Sequence, residues 1–169
     1  MHTLYLLRRA KSSWADPTLP DRDRPLAPRG RRDAKRIAEH LTRLGIEPEL
    51  VLCSPALRTR ETLQLLRPAL GASPTVRLEA ALYAASSASL LERIRAVPET
   101  IASVMPIGHN PGLHELGLVL ASAGAELERL EATFPTAALA TLTLANTPWS
   151  QLSDADAPLT AYVVPKPLR

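Results

Sequence analysis

Four short segments carry side chains able to handle an oxyanion. Arg8 and Arg9 follow one another without a spacer and are succeeded by Ala10, Lys11 and Ser12. Ser54-Pro55 leads to Arg58, Glu79 ends a short strand-like stretch, and His109 stands in Gly108-His109-Asn110-Pro111. Guanidinium groups present planar forks of N–H donors that match phosphate, and imidazole changes charge near neutral pH. Two or three arginines, a histidine and a carboxylate suit phosphoryl chemistry. The cations hold the charged group, the imidazole neutralises or attacks it, and the carboxyl group delivers a proton to the leaving atom. Each signal alone has a plainer reading: a strand end turns polar where it meets water, and a histidine there commonly serves packing.

The elements that must position these residues follow from periodicity. Thr3 to Leu7 is a nearly continuous apolar run, too short for a helix and suited to a strand buried on both faces of a parallel sheet. In open α/β sheets ligands bind beyond the carboxyl ends of the strands, where Arg8 and Arg9 fall. Residues 12–30 read as a functional or lid-like loop, punctuated by Pro17, Pro20, Pro25 and Pro28, with Trp14 as an anchor or a cap on the sheet edge. Arg29 to Leu44 is amphipathic: Ala34, Ile37, Ala38, Leu41 and Leu44 share a face opposite Arg32, Lys35, Arg36 and Arg43, and Gly45 suits its end. Those arginines read as a solvated face.

Glu49 to Cys53 reads as a second buried strand, after which Ser54 caps a helix with Pro55 at its first position. An arginine in a first helical turn opposes the helix dipole, and it makes sense if its head reaches an anion at the sheet edge. Arg58 and Arg60 cannot both do so, because residues two apart face different ways. Val76 to Glu79 predicts a third strand, and Ser86 or Ser87 starts a helix through Leu90, Leu91, Ile94 and Val97. Ile101 to Ile107 predicts another strand, Leu113 to Leu120 a helix with Gly124 near its stop, and Tyr162 to Val164 a last strand before Pro165 and Pro167. Ala137 to Leu144 fits helix or strand, and its alternation favours strand. Strand–helix alternation argues for an α/β protein with a parallel-rich sheet covered on both faces.

Composition narrows the function classes. The 169 residues fit one domain spanning 1–169, and a hydrophobic share of 46% argues against disorder. A formal charge of +3, with 4% aromatic residues, is too mild and too poor in stacking groups for nucleic acid. The basic excess is local: arginines crowd residues 8 to 67, whereas Glu126, Glu128, Glu131, Asp154 and Asp156 come late. Cys53 is the single cysteine, which leaves no intrachain disulfide and points to a cytoplasmic setting. No apolar run of membrane-spanning length is present, no apolar stretch follows Arg8-Arg9 as in a twin-arginine signal, and neither a metal nor a cofactor is expected.

Taken in order, the segments resemble the histidine phosphatase superfamily, and within it the small phosphohistidine phosphatases of the SixA type. The matching pieces are Leu6-Leu7-Arg8-x-Ala10-Lys11-Ser12-Ser13-Trp14, Asp23-Arg24-Pro25-Leu26-Ala27-Pro28-Arg29-Gly30, Val51-Leu52-Cys53-Ser54-Pro55-x-x-Arg58-Thr59-x-x-Thr62, Leu82-Tyr83 and Gly108-His109-Asn110-Pro111. The resemblance implies a three-layer α/β/α sandwich of the phosphoglycerate-mutase-like kind, with a mostly parallel central sheet. It implies that Arg8 and Arg58 bind phosphate, that His109 contacts the phosphoryl oxygens, and that Glu79 is the general acid. The implied partner is a phosphorylated protein side chain, phosphohistidine foremost, or a small phosphate ester, met by a monomer.

One departure stands at the centre of the resemblance. The family's motif is Arg-His, whose histidine takes the phosphoryl group, and here that position is Arg9. A guanidinium has no usable lone pair and cannot form the phosphoenzyme. His2, His40 and His114 are not placed to replace it, and His109 would have to attack from the side opposite its family role. Arg9 can mark a member that keeps anion binding without hydrolysis, a substitution introduced at the nucleophile, or a different catalytic route. These residues fit a phosphatase of impaired hydrolysis or, as the alternative, a non-catalytic phosphate or phosphoprotein binding module. A sugar-phosphate mutase fits less well, because the chain lacks insertions that would enclose a small substrate.

Overall fold

A computed structural model describes residues 1–72 and 74–165. The order is β1 (His2–Arg8), α1 (Pro28–Leu44), β2 (Leu50–Cys53), α2 (Leu57–Leu66), β3 (Thr75–Leu78), α3 (Ser87–Arg95), β4 (Ser103–Gly108), α4 (Gly112–Leu120), α5 (Leu127–Ala132), β5 (Leu139–Leu144) and β6 (Leu159–Val163). The strands form one sheet in the order β3-β2-β4-β1-β5-β6. β3, β2, β4 and β1 are mutually parallel, β5 pairs antiparallel with β1, and β6 pairs antiparallel with β5 at the edge.

The apolar pattern explains the layers. Leu4 and Leu6 of β1 face one side with Leu50 and Leu52 of β2, and they pack on Leu90 and Ile94 of α3, Leu113, Leu116 and Leu120 of α4, and Leu130 of α5. Leu7, Val51 and Cys53 face the other side and pack on Ala34, Ile37 and Leu41 of α1 and on Leu63 and Leu66 of α2. Helices therefore cover both faces, giving the three-layer sandwich. Ile37 and Leu41 are fully buried, and burial of such a side chain is worth roughly 1.5–3 kcal/mol. α1 starts with Pro28 at its first turn, where a missing N–H is harmless. It stops at Gly45, whose left-handed φ of 64° lets its N–H reach the carbonyls of Leu41 and Thr42.

Several boundaries differ from the sequence reading. Ser54 and Pro55 stay outside α2, which begins at Leu57 with Ala56 at its N-cap position and no side-chain cap. Ser54 is drawn instead toward β4, its N–H donating to the Ile107 carbonyl at 3.2 Å. β4 starts at Ser103 rather than Ile101, and β6 spans Leu159–Val163. α4 ends at Leu120, with Ala121 as its extended C-cap, ahead of Gly124. The region 137–144 is a strand from Leu139. α5 was not foreseen; its six residues, LERLEA, bury only Leu130 and hold too little periodicity to read. Pro167 lies outside the described residues.

Register is what builds an edge. Arg8 pairs with Gly108, Cys53 with Ile107, and Cys53 with Leu78. The residues that follow the carboxyl ends of β1, β2, β3 and β4 thus form one row: Arg9, Ser54, Glu79 and His109.

Candidate functional site

Arg8 and Arg9 leave β1 at this edge and are tied down by main-chain bonds. Arg9 N–H donates to the Gly108 carbonyl at 3.0 Å, and Ala137 N–H donates to the carbonyls of Arg8 and Arg9 at 3.1 Å. The Arg8 guanidinium donates through Nη1 to the Phe134 carbonyl at 3.2 Å, and that of Arg9 through Nη1 to the Ala10 carbonyl at 3.2 Å. Thr62 locks the next step of the chain, accepting from Ala10 N–H at 3.0 Å and donating to the Arg58 carbonyl at 2.7 Å. Gly30 of α1 lies so close to the Lys11 carbonyl that a Cβ would overlap it, which presses the strand exit against the helix start.

Arg58 is 7% exposed and reaches the edge from the first turn of α2. Arg60 turns away, is exposed, and donates to the Pro55 carbonyl at 2.9 Å, as the two-residue offset requires. The Arg58 Nη1 donates to the Asp21 carbonyl at 2.7 Å and its Nη2 to Asp21 Oδ2 at 3.0 Å. Asp21 also accepts from the Tyr83 phenol. Tyr83 sets its ring edge against His109 at a centroid distance of 5.6 Å. Gly112 in α4 allows this approach, since a Cβ there would overlap the Ala85 carbonyl.

The His109 Nε2 lies 2.7 Å from Ser54 Oγ and 3.3 Å from Thr59 Oγ1. Ser54 Oγ accepts from Ala56 N–H at 3.4 Å and can either donate its hydroxyl proton to Nε2 or accept from it; the former puts the proton of the neutral ring on Nδ1. Burial, then Arg58 and Arg9, pushes the His109 pKa down to about 4, so the ring is neutral at neutral pH. Burial, then Arg8, Arg58 and Arg24, brings the Arg9 guanidinium down to about 10, where it stays cationic. These mutual effects mean that three guanidiniums crowd one imidazole. Among the described residues, six buried side-chain polar atoms lack a partner, and five of them lie at this edge: Arg8 Nε, Arg9 Nε, Arg58 Nε, His109 Nδ1 and Asn110 Oδ1. The three guanidinium Nε atoms are donors whichever tautomer His109 takes, and donors gathered beside positive charge suit an oxyanion.

Glu79 stands in the row but does not join the cluster. Arg93 of α3 grips it with two bonds, Nε to Oε1 at 2.7 Å and Nη2 to Oε2 at 2.9 Å. Those bonds hold its pKa below the ordinary range, so the carboxylate is ionised and engaged. A general acid needs the opposite, and the surroundings of Glu79 do not favour the role the resemblance implies. Asp21, Tyr83, Ser54 and Thr59 were not singled out as site residues from sequence. Ser54, Thr59 and Tyr83 belong to the matching pieces, with Ser54 read there as a helix cap, but Asp21 sits in a loop with Asp23 two positions on, and no spacing separates the two.

His2, His40 and His114 lie elsewhere: His2 stacks on Trp149, His40 contacts Arg43, and His114 Nε2 approaches the Leu130 carbonyl at 2.6 Å. Trp14 is 69% exposed, with the Arg24 guanidinium stacked on its ring at 3.0 Å. Cys53 is buried, and burial pushes its thiol up to about 12, which removes it as a nucleophile. Among the described residues no group of three His, Cys, Asp or Glu side chains gathers as a metal would require, and no helix is long and apolar enough to cross a membrane.

Known proteins resemble this chain in sequence and in fold. Residues 4–83 match the model of the histidine phosphatase superfamily (branch 1). An uncharacterized protein of Mycobacterium tuberculosis is 34% identical over 164 residues, covering 95% of this chain and all of the relative. A Nakamurella multipartitia structure assigned as the phosphohistidine phosphatase SixA superposes with a TM-score of 0.83 at 30% identity, covering 98% of this chain and 96% of that one. An Agrobacterium tumefaciens structure of the same assignment gives 0.80 at 31% identity, covering 96% and 97%. Sheet order, the arginine-lined carboxyl edge and these likenesses over nearly the full length agree that the chain belongs to the histidine phosphatase superfamily, beside the SixA phosphohistidine phosphatases.

Proposed function

We propose that this chain recognises a phosphoryl group carried on a protein side chain, phosphohistidine foremost, and hydrolyses it poorly or not at all. Arg8 and Arg58 hold the phosphoryl oxygens, and neutral His109 donates from Nδ1. Arg9 occupies the position from which a family histidine would attack. The observation that carries the reading is the crowding of Arg8, Arg9 and Arg58 around His109, with a buried, unpartnered N–H on each. An unsatisfied buried donor costs about 1–3 kcal/mol, and an oxyanion would satisfy several at once. Two of the similar solved chains are assigned as the phosphohistidine phosphatase SixA, which supports the choice of partner.

Hydrolysis in this setting needs a nucleophile whose lone pair forms a bond to phosphorus as the bond to the leaving group breaks. Arg9 cannot supply it. The third guanidinium strengthens binding of the charged group instead, which favours the alternative of a non-catalytic phosphate or phosphoprotein binding module at the same pocket. Phosphatase activity of the chain beside Arg9→His tests the reading. The unaltered chain should show activity near background on phosphohistidine or an aryl phosphate. Arg9→His should gain activity through an acid-labile phosphohistidine at residue 9, and Arg9→Ala should gain none. Substantial turnover by the unaltered chain, unchanged in Arg9→Ala and abolished in His109→Ala, would overturn it.

A further inference from the structure

A carboxylate shares the cationic site. Asp21 belongs to the turn Asp21–Asp23 in the long segment between β1 and α1. Its Oδ2 is taken up by Arg58 Nη2 and the Tyr83 phenol, and its main-chain carbonyl by Arg58 Nη1. Its Oδ1 has only a long contact, 3.5 Å, from Arg24 Nη1. The side chain is 53% exposed, so Oδ1 keeps acceptor capacity in reach of solvent. The carboxylate is also held in place. Arg24 is anchored to Ser12 Oγ at 2.9 Å and to the Ser13 carbonyl at 3.1 Å, while Tyr83 and Arg58 fix the other oxygen.

A fixed negative charge beside an oxyanion site opposes a plain phosphate. Like charges held close together repel. The sign reverses for a ligand that brings an N–H next to phosphorus. In phosphoramidates the nitrogen bonded to phosphorus carries hydrogens, and in N-phosphorylated imidazoles the other ring nitrogen can be protonated, whereas the bridging oxygen of a phosphate ester carries none. We infer that Asp21 is a specificity-determining residue, whose Oδ1 accepts an N–H from the nitrogen side of a phosphoryl–nitrogen ligand and selects it over phosphate esters. This inference rests on the proposal that Arg8, Arg58 and His109 hold a phosphoryl group. It adds the reason why nitrogen-linked phosphoryl groups fit this edge best.

Titration calorimetry with phosphoramidate and methyl phosphate tests it on the full chain, on Asp21→Asn and on Tyr83→Phe. The unaltered chain should bind phosphoramidate about tenfold more tightly than methyl phosphate, the worth of one charge-assisted hydrogen bond. Asparagine can keep its oxygen toward Arg58 and Tyr83 and so place an NH2 group where Oδ1 was. Asp21→Asn should therefore bind methyl phosphate more tightly than the unaltered chain, and the ratio should fall to about one. Tyr83→Phe keeps the carboxylate and should keep the preference. Equal affinities for the two compounds in the unaltered chain would overturn the inference, and that result needs no variant to fold. A ratio unchanged in Asp21→Asn, both ligands weakening together, would also overturn it and leave Asp21 as a residue that only positions Arg58. Binding of neither compound to the unaltered chain would overturn the phosphoryl reading itself.

Discussion

At the scale of single residues, the charge state of His109 governs the edge. The ring is neutral because it is buried and faces Arg58, Arg9 and Arg8. Its folded pKa of about 4 lies below the ordinary value of 6.5, so between these two values the unfolded chain binds more protons than the folded one. Stability from this group is complete above about pH 6.5 and is lost as pH falls toward about 4. Unfolding free energies from denaturant titrations across this window should fall by an amount on the order of 1–3 kcal/mol, and His109→Gln should flatten that slope. Saturating phosphate should flatten it too, because a bound dianion favours the imidazolium. Asp21 is depressed through Tyr83 and then Arg58, so its own contribution is lost only in the more acidic carboxylate range.

At the scale of elements, the segment between β1 and α1 is closed over the edge by Arg24. That side chain is 4% exposed, stacks on Trp14, and bonds Ser12 and Ser13. Glu61 adds a second fastening, accepting from Leu26 N–H at 2.8 Å and pairing with Arg31 at 2.9 Å. Arg24→Ala should cost about 2–3 kcal/mol, the combined worth of a stacked cation and its lost hydrogen bonds. It should also speed proteolytic cleavage near residues 15–20. Lysine cannot reproduce the planar fork, so Arg24→Lys should rescue little. Cleavage rates identical in the three chains would show that the segment is held by other contacts. On the far side of the pocket, the Glu79–Arg93 pair joins the end of β3 to α3 and leads through the turn Ala80–Leu82 to Tyr83. Its carboxylate supports the site's wall.

At the scale of the molecule, the cationic edge links ligand binding to folding. Arg8, Arg9 and Arg58 repel one another in the folded chain and separate when it unfolds. An oxyanion held by the native state alone would stabilise it by about 2.7 kcal/mol at a hundred times its dissociation constant. Thermal melting should therefore rise in phosphate well beyond the rise in chloride at equal ionic strength, and Arg8→Ala or Arg58→Ala should shrink the difference. Coincident melting curves in the two salts would count against an oxyanion site.

The sequence by itself determined the strands of the sheet and the polar residues at their ends. Buried strands are written in consecutive residues, as in Thr3–Leu7 and Val51–Cys53, and a helix face repeats every three or four, as in Ala34, Ile37 and Leu41. Arg8, Arg9 and His109 were legible because each directly follows such a run, and Arg58 because a cation in a first helical turn is out of place there. The start of α2 was misjudged for a local reason: Ser54 and Pro55 have the residue types of a helix start, but Ser54 is claimed by β4 and His109. Only the tertiary structure placed β4 between β1 and β2, which is what brings His109 beside Arg8 and Arg58. It also decided the fate of the two carboxylates. Glu79 is neutralised by Arg93, 14 positions away, and Asp21 is drawn to Arg58 across 37 and to Tyr83 across 62. Hydrogen bonds and ion pairs depend on distance in space. A sequence periodicity shows which residues share a face, and it holds no term for which loop folds back over which strand end.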